Sequence, residues 1–378
     1  MNEHSDQPAQ RHFTVVLRGA SAVVLEDGPG LGVRDSAADG KSIVTHARTR
    51  WLGVNGSERL PGHLCLEAVG WAESLDDAID RLTRSAVFLI PLLSLSANAA
   101  IGDCEMELAY ESTDGLNERE FIQSFLPEES QLLRPGRLLD IQATGRLLEA
   151  IQTAPDKERI MRAANQYWLA LQAWRYGFET LCVAHLWMAV EALTKAMIRT
   201  ELSRKGLSNE AELSDYLGCE TKKLDAEIRR RYLLKGDEEC YSKGRLASDG
   251  LEHGYLGFDE IRAHAIEVRD RMASLVRSAI LEIVQLDAKT TSRLLSSPFD
   301  RPVGPWPLAR TLRGKLVGAD SQLAAVGNPY PFFSWKAHVE NVRKVEGGRL
   351  VVNVSETMTA HLGPGIVFVA SGHQVRER

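Results

Sequence analysis

The stretch Ser242-Lys243-Gly244-Arg245-Leu246-Ala247-Ser248-Asp249-Gly250-Leu251-Glu252-His253 gathers several side chains with chemical capacity. An imidazole takes or gives a proton near neutral pH, while a guanidinium or ammonium holds a phosphate and its developing charge. His253 with Arg245 or Lys243 is therefore a candidate acid/base and phosphate-ligand set. Read as a helix, Asp249 and His253 share a face, whereas Arg245 lies about 80° away and two turns back. A carboxylate beside the ring would raise its pKa and repel phosphate, which suits a structural hydrogen bond. A second polar pair, His185 and Glu191, interrupts an apolar segment. Glu191 either pairs with Lys195 four residues on or orients another group. Between Lys222 and Lys235 stand six basic residues against two acidic ones, with Arg229, Arg230 and Arg231 consecutive and Tyr232 beside them. That composition fits a phosphate-tracking surface or a solvated helix face.

These residues need a scaffold, and its periodicity is helical from Asp156 for about 130 residues, with no proline between Pro155 and Pro298. Ile160, Ala164, Tyr167, Leu171 and Trp174 form one apolar stripe. Glu179 to Arg199 is apolar nearly all round, the mark of a central buried helix. Asp259 to Asp287 carries Ile261, Ala265, Val268, Met272, Leu275, Ala279 and Ile283 at regular spacing. Between the last two lie a polar helical segment around Leu224–Leu234 and a loop-rich stretch to Gly257. Four antiparallel helices around one core satisfy this pattern.

Residues 13–150 instead mix β-rich runs (Phe13–Leu17, Ser42–Thr45, Leu64–Trp71, Glu105–Tyr110) with one amphipathic helix capped by Ser74. Turns are expected at Asp27-Gly28-Pro29-Gly30, Asp39-Gly40 and Asn55-Gly56. No Lys-Ser/Thr follows the glycines at 28–32, so they read as a turn and not a phosphate loop. After about residue 290 prolines cluster, and Leu350–Val354 and Ile366–Ala370 read as strands. The expected fold class is thus α+β. An α+β region over 1–150 precedes a helical bundle over 155–288 and a basic β-rich region over 290–378.

Charge is distributed in the same three parts, with a net of −10 over 1–155, −2 over 156–287 and +6 over 288–378. Only the back half offers a polyanion an electropositive surface. That tail holds Arg343, Lys344, Arg349, Arg376 and Arg378, with Trp306, Tyr330, Phe332, Phe333 and Trp335 available for stacking or a small core. Five widely spaced cysteines with no C-x-x-C pair point to a reduced cytoplasm. The polar run from Met1 to Arg11 lacks the apolar stretch of a secretory signal. Pro91, Ser94, Ser96 and Asn98 interrupt the apolar run from Ser85 to Ile101, so no membrane span is expected. No histidine spacing signals a metal, no cofactor is implied, and the G-x-S-x-G, kinase and dinucleotide fingerprints are absent.

The segment Asp249-Gly250-Leu251-Glu252-His253-Gly254-Tyr255, preceded by a helix containing Leu186-Trp187-Met188-Ala189-Val190-Glu191-Ala192-Leu193, resembles the HEPN superfamily, in its ApeA-like branch. The resemblance covers about residues 157–286. It implies a four-helix bundle that often forms a homodimer and, in active members, cuts RNA without metal to leave a 2′,3′-cyclic phosphate. Those members carry Arg, usually followed by Asn, with four to six residues before His. Here His253 holds the histidine position, Ser248-Asp249 stand at the Arg-Asn position, and seven residues separate Arg245 from His253. Two readings follow. One is an RNA-binding, metal-independent endoribonuclease of a prokaryotic defence or stress system. In it His253, Arg245, Asp249 and Glu191 form the catalytic set, and Lys243, Arg229, Arg230 and Arg231 contact RNA. The other is a catalytically silent interaction module whose flanking regions sense a protein or nucleotide trigger.

Overall fold

The computed structural model describes residues 11–36, 42–54, 58–115, 117–124, 136–254, 257–296, 299–304, 309–318, 332–345 and 349–376. Asp39-Gly40, Asn55-Gly56, Tyr255, Trp306, Tyr330 and Arg378, considered above, lie outside these residues.

Alternating burial builds the first layer. Phe13, Val15 and Leu17 of β1 (Arg11–Ser21) point inward while their neighbours are more exposed. The short β2 (Val23–Val24) follows, then β3 (Leu31–Ser36), β4 (Ser42–Val54) and β5 (Glu58–Ala72). Gly30 turns the chain into β3 at φ 72°, with the Ala47 carbonyl 2.2 Å from where a Cβ would stand, so only glycine fits. Helix α1 (Leu75–Val87) opens on Ser74, whose hydroxyl accepts from the Asp77 amide at 3.2 Å, as its N-cap pattern predicts. The run from Ser85 to Ile101 is not one span. It divides into the end of α1, a buried α2 (Ile90–Ala97) and the start of β6 (Ile101–Glu111). After β7 (Phe121–Gln123) and β8 (Arg137–Leu138) comes α3 (Ile141–Thr153). Six antiparallel strands stand in the order β3-β4-β5-β1-β6-β7, and α1 packs on them.

The second layer is helical. Its elements are α4 (Lys157–Gln172), α5 (Glu179–Lys205), α6 (Glu210–Leu217), α7 (Leu224–Ile228), α8 (Glu238–His253), α9 (Phe258–Val284) and α10 (Ala288–Leu295). Ion pairs fix the directions of the four long ones. Arg199 at the end of α5 meets Asp156 at the start of α4, so these run antiparallel. Arg262 reaches Glu179 and Arg204 reaches Glu282, so α5 and α9 run parallel. Lys243 meets Glu267 while Arg271 meets Asp237, so α8 runs against α9. By length and composition α5 could cross a membrane, yet 72% of that window is buried inside the protein.

One expectation fails here. The stretch expected to be loop-rich contains the four-turn helix α8. Asp237 caps it by accepting from the Cys240 amide, and Gly244 is there because a Cβ would come within 3.1 Å of Met272 Sδ. Gly244 serves close helix packing and not a turn. The polar segment around Leu224–Leu234 is helical as expected, in mixed form: a 3-10 turn at Thr221–Lys223 leads into α7 and then a π-helical turn at Arg229–Leu233.

Past α10, β9 (Ala309–Val317), β10 (Phe332–Val345), β11 (Arg349–His361) and β12 (Val367–Arg376) form the β-rich end. There β10-β11-β8-β2 and β12-β9 are separate sheets, and Phe333 of β10 meets Phe368 of β12 edge-on at 4.9 Å, both rings half-buried.

One apolar core runs from Phe13 to Leu294 without a break at residues 150–155. At its centre Arg277 of α9, 2% exposed, donates only to backbone carbonyls. Nε bonds Leu95 O at 2.8 Å, Nη1 bonds Phe299 O at 3.0 Å, and Nη2 bonds Ser96 O and Leu294 O at 2.8 and 2.7 Å. Leu95 and Ser96 lie in the last turn of α2, and Leu294 lies in that of α10. One cation therefore satisfies orphan carbonyls at two negative helix ends, each carrying roughly half a charge. Burial lowers its pKa to about 10, which leaves it charged at neutral pH. Asn98, left-handed at φ 50°, completes the joint by accepting from Tyr167 OH at 2.7 Å and donating to Phe299 O at 2.9 Å.

Arg277→Met keeps the stem but removes the arginine donors to Ser96 O and Leu294 O and leaves Leu95 O and Phe299 O with Asn98 as donor, and should cost about 3–5 kcal/mol in urea unfolding of the whole chain. Arg277→Lys should recover only part of it, because one ammonium does not span four acceptors. A loss under about 1 kcal/mol for Arg277→Met would contradict this role.

Candidate functional site

His253 is the last residue of α8. Its ring is exposed at the negative end of that helix, followed by Gly254 in the left-handed conformation at φ 66°. Asp249, one turn back, does not hold this ring. Its carboxylate accepts instead from Arg245 Nε at 3.2 Å, which raises the pKa of that guanidinium. Lys243 lies between Glu239, at 2.7 Å, and Glu267 of α9, and these carboxylates raise its pKa. Ser248, standing where the resemblance places an arginine, is 1% exposed and donates to Glu252 at 3.2 Å. Ser248 therefore faces the helix packing.

Glu191 does not pair with Lys195. It accepts from Arg229 Nη1 at 3.0 Å, while Lys195 reaches Glu210 and Asp225. Arg229 sits in the π-helical turn, which also brings its Nε to Thr194 Oγ1 at 3.0 Å. Arg230 meets Glu227 at 2.6 Å and Glu238 at 3.0 Å, and Arg231 meets the same Glu227 at 2.6 Å. Each of the three arginines thus meets a carboxylate, Arg229 and Arg230 on a neighbouring helix and Arg231 within its own helical segment. Glu191 lies twelve residues into α5, roughly 18 Å from the end of the helical layer where His253 stands. The structure brings together Arg245 with Asp249 and Glu191 with Arg229, but it does not gather these with His253.

A different cluster occupies that end. The turn from α4 to α5 carries Trp174-Arg175-Tyr176-Gly177-Phe178, and arginine planes stack on its rings. Arg175 lies 3.5 Å from the Phe178 centroid, Arg262 4.8 Å from Tyr176 and Arg269 4.4 Å from Trp174. Glu179 locks the turn, accepting from the Gly177 amide through both oxygens at 3.0 Å and from Arg262 at 3.3 Å. Burial pushes its carboxyl up, but the backbone amides and Arg262 outweigh this and hold it below the usual range. Around the cluster Tyr176 is 78% exposed, Phe258 61% and Ile266 53%. Its sequence signal was the alternation of aromatics with arginine at 174–178, which the helical stripe absorbed as far as Trp174.

Among the described residues no group of three His, Cys, Asp or Glu is placed to hold a metal ion. Compared with family models, curated proteins and solved structures, the chain matches none.

His185 is half-buried, with Nδ1 2.8 Å from Gln166 Oε1, and burial lowers its pKa. The folded chain therefore favours the neutral ring. Stability present above the ordinary histidine value of about 6.5 is lost as pH falls through the lower folded value, because the unfolded chain binds the proton first. Urea unfolding at falling pH should show His185→Gln flattening this acid-side loss; an unchanged slope would contradict it.

Proposed function

We propose that the chain is a HEPN-like four-helix module that docks and does not cut RNA. The helix directions support the bundle: α4, α5, α8 and α9 alternate up and down around one apolar interior, as the resemblance implies. The observation that carries the docking reading is the engagement of the nominated cations. Arg245, Lys243, Arg229, Arg230 and Arg231 each meet a carboxylate, and Ser248 is buried where a phosphate ligand is wanted. Without a cation aimed at the same phosphodiester, an imidazole lacks the charge stabilisation that RNA cleavage needs.

Docking has its own support in the exposed end of the bundle. Tyr176, Phe258 and Ile266 with the stacked Arg262 have the aromatic, arginine-rich composition of interface centres. The partner proposed is a second copy, giving a homodimer in a reduced cytoplasm, where five free cysteines stay reduced. The ribonuclease reading retains one observation, the exposed imidazole of His253 at a helix end.

One set of measurements separates the two. Wild type incubated with RNA in EDTA should leave it uncut, and light scattering should show a dimer that Tyr176→Ser with Phe258→Ser converts to monomer at unchanged helicity. Cleavage that leaves 2′,3′-cyclic phosphate ends and stops with His253→Ala would overturn the docking reading.

A further inference from the structure

Strands β10 and β11 form a long ribbon at the basic end of the chain, and β8 joins it only at Arg349. The strands β9 to β12 hold eight Lys and Arg against two Glu, so they carry the positive charge of the tail. On β11, positions two apart share a face, and Asn353, Ser355, Thr357 and Thr359 are all exposed. Lys336 of β10 stands opposite Thr357 and Arg343 stands opposite Val351, so these two exposed cations belong to that same face. The two glutamates do not. Glu356 pairs with Ala337 on the other face, and Glu340 is the residue passed over where the register shifts between Val339 and Asn341.

The helical layer is the reverse of this. There each nominated cation meets a carboxylate, whereas among the described residues neither Lys336 nor Arg343 forms an ion pair. Hydroxyls, an amide and two unmatched cations, with no carboxylate in the row, complement phosphate oxygens. The aromatic residues decide which polyanion fits. Single strands are held by stacking on exposed rings, but Phe333 and Trp335 alternate with Lys336 and so belong to the other face, where Phe333 meets Phe368. A ribbon of two strands about 5 Å apart fits the major groove of B-form DNA, about 12 Å wide, while the major groove of duplex RNA is too narrow to admit it.

We infer that the β10–β11 ribbon binds double-stranded DNA, laying the face of Lys336 and Arg343 against the phosphates that border the major groove. The two cations replace condensed counterions, and the hydroxyls and the Asn353 amide donate to phosphate oxygens. The ribbon shares no residue with the exposed end of the bundle. The inference therefore does not rest on the docking reading, and its test requires neither a dimer nor RNA cleavage.

Titration of a fluorescent DNA duplex with the full chain, read by anisotropy, provides the test. Saturable binding is expected, weakened at least about tenfold between about 50 and 200 mM salt. Lys336→Gln and Arg343→Gln should each lower affinity several-fold and reduce the slope of log affinity against log salt by about one. Arg84→Gln, which removes an exposed, paired cation from α1, should bind as wild type does. Thr357→Glu, which sets a carboxylate opposite Lys336, should weaken binding with the circular dichroism unchanged. No binding of the duplex at low salt overturns the proposal. So does a single DNA strand or an RNA duplex that binds as tightly as the DNA duplex, or a Lys336→Gln, Arg343→Gln double variant with wild-type affinity.

Discussion

A guanidinium with no carboxylate beside it holds this molecule together. Arg277 is buried among the last carbonyls of α2 and α10 and the carbonyl of Phe299, and its counter-charge is the summed negative ends of two helices. Such a site needs both helices in place before the cation is satisfied, and the cation in place before their C-termini can be buried. Helix α2 stands between α1 and β6 in the sheet half of the chain while packing chiefly on α4, α9 belongs to the helical layer, and α10 to the chain leaving it. A single side chain therefore makes the sheet and helical layers conditional on each other, and the unbroken core from Phe13 to Leu294 is the apolar counterpart of that dependence.

The rest of the charge pattern follows a different rule. Cations on the helical surface are matched locally or between helices, as in Lys243 between Glu239 and Glu267 or Arg229 with Glu191, so the surface is charged without presenting a focused positive field. Exposed pairs of this kind contribute little stability, typically under about 1 kcal/mol each. Their effect is to occupy the groups that a phosphate would otherwise recruit. Beside His253, Asp259 and Glu260, the end of the bundle exposes Tyr176, Phe258 and Ile266, and such aromatic and apolar surface is better used in contact with another protein than in water.

Much of the scaffold was legible because its signals are local. Ser74 announces α1, the all-round apolar run announces α5, and the regular repeat from Ile261 to Ile283 announces α9. Helix α8 was obscured because Gly244 and Gly250 lower helix propensity, and the reason for Gly244, close approach to Met272 and Trp187, lies on other elements. Helix α2 carries buried residues on every side, so its short apolar run had no periodicity to read. The candidate site was the least legible part. Its residue types were visible, but some partners that engage them lie far off in sequence: Glu191 bonds an arginine 38 residues on and Lys243 a glutamate 24 residues on. The role of Arg277 was hidden for the same reason, since an arginine in an amphipathic helix gives no sign that it will be buried.

The claim that the two layers form one unit joined at Arg277 is tested most directly by hydrogen exchange in rising denaturant below the unfolding midpoint. Amides of α2 and of the segment around Arg277 in α9 should lose protection together, at the same denaturant concentration and with the same free energy of opening. Exchange of α2 at lower denaturant, while that part of α9 stays protected, would show that the layers open separately and contradict the account.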